Sequence, residues 1–274
     1  MAEGTSRTVK EWRFRQGQMA EGHRIVPEEV PIAFSYGGST HAVMMATPAD
    51  LVDFAYGFSL AEEIIVSAAD ILDVEPVEAG AGIDVQVTLK DQSADALTAR
   101  RRRMAGPVGC GLCGIESIEQ AARAVARVPE RRLALTPAMV ADAVRELGDG
   151  QNLNRETRAV HAAGFYRPGR GIAAIREDVG RHNALDKLCG AVIRAGLKPA
   201  DGVVVVTSRL SVEMVQKTAL LGCPCLVAVS APTALAIETA EEAGITLIGI
   251  ARRDEFEVFT RPDRLTTGES SHVA

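Results

Sequence analysis

"GVVVVTSRLSVEMVQKTALLGCPCLVAVSAPTALAIETAEEAGITLIGI", residues 202–250, contains three continuous apolar runs: VVVV at 203–206, CLVAV at 225–229 and ITLIGI at 245–250. A strand with one wet face alternates apolar and polar residues, so unbroken runs imply strands covered on both faces, usually in a parallel sheet. The segments between them, 211–222 and 232–244, read as helices. Each ends on a glycine, Gly222 and Gly244, suited to the left-handed position that closes a helix. Strands alternating with helices in this way specify a three-layer α/β/α sandwich. Ligands of open α/β sheets lie beyond the carboxyl ends of the strands, which here means near Ser208 and Arg209, Ser230 and Ala231, and Ala251 and Arg252.

Working toward the N-terminus, "RHNALDKLCGAVIRAG" aligns Leu185, Leu188, Val192 and Ile193 on one helix face, and "VHAAGFY" and "GIAAIRE" are candidate strands. Thr136 and Pro137 open a further helix whose apolar side is Met139, Val140, Ala143, Val144 and Leu147. "FEVFT" reads as a last strand. Residues 28–91 form a separate α+β pattern. "VPIAFSY" and "THAVMMA" are strands joined across Gly37 and Gly38, a hairpin-type pair. Thr47, Pro48 and Asp50 read as cap, first position and first turn of a helix. "ILDVEPV" and "IDVQVTLK" alternate as half-buried strands do, and a helix ending in Arg100, Arg101, Arg102 and Arg103 follows. The expected organisation is an N-terminal α+β domain over 1–105, a Cys-bearing loop and linker helix ("ESIEQAARAVARV") over 106–135, and an α/β domain with a C-terminal tail over 136–274.

A chain of 274 residues with 47% hydrophobic and 24% charged residues has the composition of an ordinary globular protein. Its formal charge of −6 argues against a general nucleic-acid binder, which needs an electropositive footprint. Any anion must then be held locally. The arginine run can flank a phosphate site, although arginines at a helix end also complement the dipole and stay solvated. No stretch approaches the roughly 20 apolar residues of a membrane span and none resembles a secretory signal, so a cytoplasmic location and no membrane association are expected.

Five cysteines in a reducing compartment are expected to be free thiols. Two of them, Cys110 and Cys113, sit in "AGPVGCGLCGIES", residues 105–117. A structural zinc site requires four ligands. Cys223 and Cys225 have one residue between them and lead into a buried run, and Cys189 lies on the apolar side of a helix; all three read as core cysteines. The zinc deaminase signature H-x-E with P-C-x-x-C is absent, since His161 is followed by Ala162 and Ala163 and Cys225 lacks a second cysteine. A thioredoxin-type pair sits at a fixed helix N-terminus, whereas Gly109, Gly111 and Gly114 favour mobility. Mobility suits a thiolate that takes sulfur from one partner and carries it to another.

A second cluster, "REDVGRHNALDK" at 176–187, mixes Arg176, Arg181, His182 and Lys187 with Glu177, Asp178 and Asp186 at a strand-to-helix junction. Such a cluster is either a capping and salt-bridge network or an anion site at free backbone N–H groups. "TSRLSVEMVQK", 207–217, places hydroxyls and Arg209 at another strand's carboxyl end, and two polar clusters opening on one edge favour a pocket for a phosphorylated or nucleotide-like ligand.

Together with "GCGLCG", "VAVSAPTALAIETAEEAGITLIGI", "FTRPDRL" and "EVPIAFSYGGSTHAVMMATPADLVDFAYGFSL", these motifs resemble the formate dehydrogenase accessory sulfurtransferase family, or FdhD family, from about Glu28 to Leu265. The resemblance implies a homodimer whose larger domain is similar to cytidine deaminases without zinc. It also implies a sulfurtransferase that receives persulfide sulfur from a cysteine desulfurase and passes it to the bis(molybdopterin guanine dinucleotide) molybdenum cofactor, held as bound substrate, for formate dehydrogenase. No intrinsic metal is expected. Cys110 matches the persulfide-bearing residue and Cys113 its assisting partner. Ile250, Ala251, Arg252, Arg253, Asp254 and Glu255 match the segment that binds the cofactor and its guanine nucleotide moiety; relatives commonly carry glycine or a basic residue where this chain has Asp254 and Glu255. Ser or Thr often precedes the cysteine pair in relatives, where this chain has Pro107, Val108 and Gly109. The alternative is a non-catalytic chaperone that protects the cofactor and delivers it to formate dehydrogenase, with the cysteines only lining the site.

Overall fold

The computed structural model describes residues 4–91, 93, 94, 97, 125–130 and 133–266. Cys110, Cys113, the arginine run, the glycine-rich loop and the C-terminal tail from 267 lie outside the described residues. The first described element is a ribbon of β1 (Ser6–Arg15) and β2 (Gln18–Pro27), turned at Gln16 and Gly17, both with positive φ. It was not anticipated, because most of its residues stay exposed and it has no buried face to impose a clear alternation.

The expected ββαββ unit follows as β3 (Val30–Tyr36), β4 (Ser39–Ala46), α1 (Leu51–Ala61), β5 (Ile71–Ala79) and β6 (Gly82–Leu89). The four strands pair in the order β4-β3-β6-β5, with β3 and β6 parallel and the two outer pairs antiparallel. Gly37 and Gly38 both have positive φ, as the tight turn between β3 and β4 requires. Ile32, Phe34, Val85 and Val87 line the covered face, where Phe34 stacks on Phe58 and meets Phe54 edge-on, both from α1. Full burial of each such side chain contributes about 1.5–3 kcal/mol.

The helix start corrects the sequence expectation. Residue Thr47 does not cap α1; the helix begins at Leu51 behind Asp50, which has φ 54° and makes no capping bond. Thr47 is fully buried and bonded elsewhere: its N–H donates to Asp178 (3.0 Å) and its hydroxyl accepts from the Val179 N–H (3.2 Å). A tertiary contact has taken the side chain that local pattern assigned to a cap. The expected linker helix over 116–128 likewise does not reach its end: 125–128 is not helical, and the Val128 N–H bonds to the Ala243 carbonyl.

The remaining chain gives α2 (Pro137–Gly150), α3 (Asn152–Thr157), β7 (His161–Arg167), β8 (Gly171–Asp178), α4 (Arg181–Arg194), β9 (Val203–Val206), α5 (Val212–Leu221), β10 (Cys225–Ala228), α6 (Ala234–Ala243), β11 (Thr246–Arg252) and β12 (Glu255–Val258). The strands form one six-stranded sheet, β12-β11-β10-β9-β7-β8, in which β9, β10 and β11 are parallel as their continuous apolar runs predict. Val204 and Val206 face one core with α4, α5 and α6; Val203 and Val205 face another with Val140, Ala143 and Leu147 of α2. This is the expected three-layer arrangement. Thr136 caps α2 through the Met139 N–H, and Gly222 and Gly244 close α5 and α6 with positive φ. Among the described residues no helix is long and apolar enough to cross a membrane.

Helix α1 lies between the covered face of the four-stranded sheet and α4, so one continuous core joins the two units. The helices touch backbone to backbone at Gly57 and Gly190. A Cβ on Gly57 would lie 1.6 Å from the Asp186 carbonyl oxygen, and one on Gly190 would lie 1.8 Å from that of Asp53. Gly57→Ala is expected to lower stability by about 3 kcal/mol or more in urea denaturation, because both colliding groups are main chain. Gly148→Ala, within α2 and with nothing near its added methyl, is expected instead to raise stability by about 0.5–1 kcal/mol.

Candidate functional site

The carboxyl ends of β9, β10 and β11, the start of β7 and the start of α4 meet at one edge of the six-stranded sheet. The Thr207 N–H donates to Ala162, the Leu210 N–H to Ala231 and the Ile250 N–H to Ser230, which stitches the loops of this edge together. His161 pairs in register with Asp178 at the end of β8, immediately before Arg181 and His182 open α4. Hence residues from distant parts of the sequence share one rim.

Most charges of the 176–187 cluster are spoken for within the fold. Arg176 donates to Asp53 (2.5 and 2.8 Å), and the Glu177 carboxylate accepts from the Leu153 and Asn154 N–H groups at the start of α3. Asp178 and Lys187 form a fully buried pair at 2.6 Å. Burial pulls the Lys187 ammonium below its ordinary range, and the Asp178 charge opposes that shift. Asp186 is paired with Lys217 from α5 at 2.5 Å. Burial works against the Lys217 charge, and the Asp186 carboxylate outweighs it and holds the ammonium above its usual range. The network reading is realised over most of the cluster, and Arg181 and His182 are left at the rim.

His182 Nε2 lies 2.7 Å from Glu213 in the first turn of α5. The contact is close but not aligned as a directed N–H bond. The adjacent His182 imidazole draws the Glu213 carboxyl below its ordinary value. The Arg181 Nε and the Ser211 hydroxyl are buried without a hydrogen-bond partner. Polar atoms in that condition cost about 1–3 kcal/mol, and they are what an anion with several oxygens would satisfy. Arg209 is exposed beside them, and the first free N–H groups of α5 point to the same rim.

Ile250, Ala251, Arg252, Arg253, Asp254 and Glu255 form the end of β11 and its turn into β12. Ala251 is buried and offers a ligand only its backbone, whereas Arg252, Arg253, Asp254 and Glu255 are exposed. Arg252 and Glu255 are register partners across the turn. Ile250 has φ 54°, an unfavourable conformation for a β-branched residue, next to a register irregularity between Gly249 and Arg252. Strain of this kind concentrates at functional sites. Nothing in the local sequence signals it, since an Ile at a strand end reads simply as strand.

Cys189, Cys223 and Cys225 are buried as expected. Burial pushes the Cys223 thiol up to about 12 and those of Cys189 and Cys225 above their ordinary range as well, so none is a thiolate nucleophile near neutral pH. Among the described residues no three His, Cys, Asp or Glu side chains converge as a metal site requires. A separate cleft of about 400 Å³ is lined by Thr47, Asp50, Glu156 and Glu177. Its acidic wall disfavours phosphates.

Residues 27–266 match the FdhD/NarQ family model. The chain belongs to the FdhD/NarQ family. It is 64% identical to the sulfur carrier protein FdhD of Agrobacterium fabrum over 263 residues, which cover 96% of this chain and 97% of the relative. It is 55% identical to that of Brucella abortus, covering 95% of this chain and 97% of the relative. A crystal structure from Desulfotalea psychrophila, described as a formate dehydrogenase accessory protein, superposes with a TM-score of 0.77 at 25% identity over 96% of this FdhD/NarQ chain and 100% of that one.

Two outcomes follow for the rim. Ile250→Asn relieves the left-handed strain with a residue that tolerates it, and is expected to raise stability by about 1 kcal/mol in urea denaturation. His161 is held below the usual imidazole value of 6.5, first by burial and then by Arg181. Below pH 6.5 the unfolded chain binds a proton at His161 that the folded chain resists, until the pH falls to the lowered folded value. Stability therefore drops with pH across that window, and His161→Gln is expected to flatten the drop in urea titrations at a series of pH values.

Proposed function

We propose that this chain is a cytoplasmic sulfurtransferase that accepts persulfide sulfur on Cys110 from a cysteine desulfurase. It passes that sulfur to the bis(molybdopterin guanine dinucleotide) molybdenum cofactor for formate dehydrogenase. The observation that carries the reading is the family membership, with relatives at 64% and 55% identity named sulfur carrier protein FdhD. The cysteines support it by elimination: Cys189, Cys223 and Cys225 are sealed thiols, which leaves Cys110 and Cys113 as candidate carriers.

In the loading step the Cys110 thiolate attacks the outer sulfur of the desulfurase persulfide. A new S–S bond forms on Cys110 as the donor's S–S bond breaks, and the donor cysteine leaves as its thiolate. Cys113 assists. The cofactor is substrate rather than resident group. Its phosphates suit the rim of Arg181, Arg209 and Ser211 and the start of α5, and the guanine nucleotide moiety suits the turn at Ile250, Ala251, Arg252, Arg253, Asp254 and Glu255. In this reading the six-stranded unit is cytidine-deaminase-like in arrangement, and the protein works as a homodimer.

Intact mass after incubation with a desulfurase and cysteine tests the carrier role. A reductant-labile gain of one sulfur atom is expected in wild type and in Cys113→Ala, and none in Cys110→Ala. No gain in wild type would overturn the carrier role in favour of a cofactor chaperone. Cys110→Ala is expected still to bind GDP, because the rim groups named above come from other segments; loss of binding would mean that the carrier cysteine is itself part of the nucleotide site.

A further inference from the structure

Two helices begin at the rim, and their first turns touch. Helix α4 brings Arg181 and His182, and α5 brings Glu213 just behind Ser211, its N-cap residue. His182 Nε2 and the Glu213 carboxylate lie 2.7 Å apart, and both side chains are only partly exposed. Ser211 has the extended backbone of a cap, yet its hydroxyl makes no capping bond and is buried without a partner, as is Arg181 Nε. The free N–H groups at the start of α5 add donors to the same place.

A carboxylate in this position competes with any phosphate. Asp178 and Asp186 are committed to Lys187 and Lys217, so Glu213 is the acid that this junction leaves at the rim. An acid in the first turn of a helix is drawn to the free N–H groups there and to the positive end of the dipole. His182 first, and then Lys217 and Arg181 against the effect of burial, hold the Glu213 carboxyl below its ordinary value, so it is charged near neutral pH and Arg181 is close enough to act on it. Nevertheless, among the described residues Glu213 makes no ion pair with Arg181 and leaves the Ser211 hydroxyl unpartnered; it rests against His182.

We propose that His182 is a positioning residue of the rim, holding the Glu213 carboxylate off the donors that receive the cofactor's phosphates. Without the imidazole, Glu213 turns to Arg181, Ser211 and the start of α5 and fills their unused capacity from within the chain. A tethered carboxylate needs no association step, so it acts at high effective concentration against an anion that arrives from solution. The contact joins two helix starts that the fold already fixes, α4 through Lys187 and Asp178, and α5 through the pairing of Lys217 with Asp186 of α4. The proposal rests on the placement of phosphates at this rim in the reading above, and it adds the group that keeps the place open.

Isothermal titration calorimetry of the full chain with GDP near neutral pH tests it. His182→Ala is expected to weaken GDP binding about 10-fold or more, whereas Glu213→Gln is expected to bind at least as tightly as wild type. The double variant His182→Ala with Glu213→Gln decides the matter: it is expected to recover the affinity of Glu213→Gln, because the internal competitor is gone. A merely structural role for His182 would leave the loss in place. His182→Asn, a shorter side chain, carries the same expectations and guards against a fold lost in His182→Ala, with far-UV circular dichroism as the check. Wild-type affinity in both His182 variants, a loss that persists in the double variant, or weaker binding by Glu213→Gln would overturn the positioning role alone. A wild type that binds no GDP would overturn the phosphate placement and this role with it, so the two failures are distinguishable.

Discussion

Lys187 and Asp178, sealed from solvent and 2.6 Å apart, join the end of β8 and the body of α4 to the chain that enters α1. Burying two charges costs several kcal/mol per ion, and the pair persists because its remaining hydrogen-bonding capacity is used. Asp178 also accepts from the Thr47 N–H, the Gly180 N–H and the Asn183 amide, while Lys187 donates to the Thr47 carbonyl. Removal of either partner would strand the other charge in the core, at a cost of about 3–5 kcal/mol. The pair specifies how α4 meets the turn before α1, and the Gly57–Gly190 crossing then lets the two helices touch. Arg181 and His182 owe their position at the rim to that same first turn of α4.

The second unit was legible because its strands are covered twice. Val203, Val204, Val205 and Val206 all need apolar neighbours, so burial wrote itself into an unbroken run, and Gly222 and Gly244 marked where the helices stop. The ribbon was not legible for the opposite reason: with little burial, Trp12 and Phe14 stand among arginines and glutamates without a pattern that a core would enforce. Thr47 shows a third case. Threonine before proline satisfies a local capping rule, but the free energy of completing the buried Asp178 network outweighs a cap worth about 1 kcal/mol.

The candidate site was legible by place but not by residue. The rule that ligands sit beyond strand ends located Ser208, Ser230 and Arg252 correctly on one edge. Charge clustering could not distinguish Arg176, Asp178, Asp186 and Lys187, which hold the fold together, from Arg181, which remains unsatisfied. Much of the distinction depends on partners more than 100 residues away, such as Asp53 for Arg176 and Thr47 for Lys187, which no local window contains.

The sealed cysteines separate structural sulfur from sulfur that can react. Cys223 has a hydrogen bond to the Gly202 carbonyl and a thiol raised to about 12, so it acts as a small core residue and an oxidant or persulfide would have to open the sheet to reach it. A carrier requires the reverse conditions: a thiolate near neutral pH, access to two partners in turn, and a tether that does not disturb the core when it moves. Cys110 and Cys113 stand among Gly109, Gly111 and Gly114, remote in the sequence from the three sealed cysteines, and glycine leaves a backbone freest to move. The strained turn at Ile250, closed onto Ser230, likewise belongs to an edge held in place by the strands that end there, and strain of this kind concentrates at functional sites.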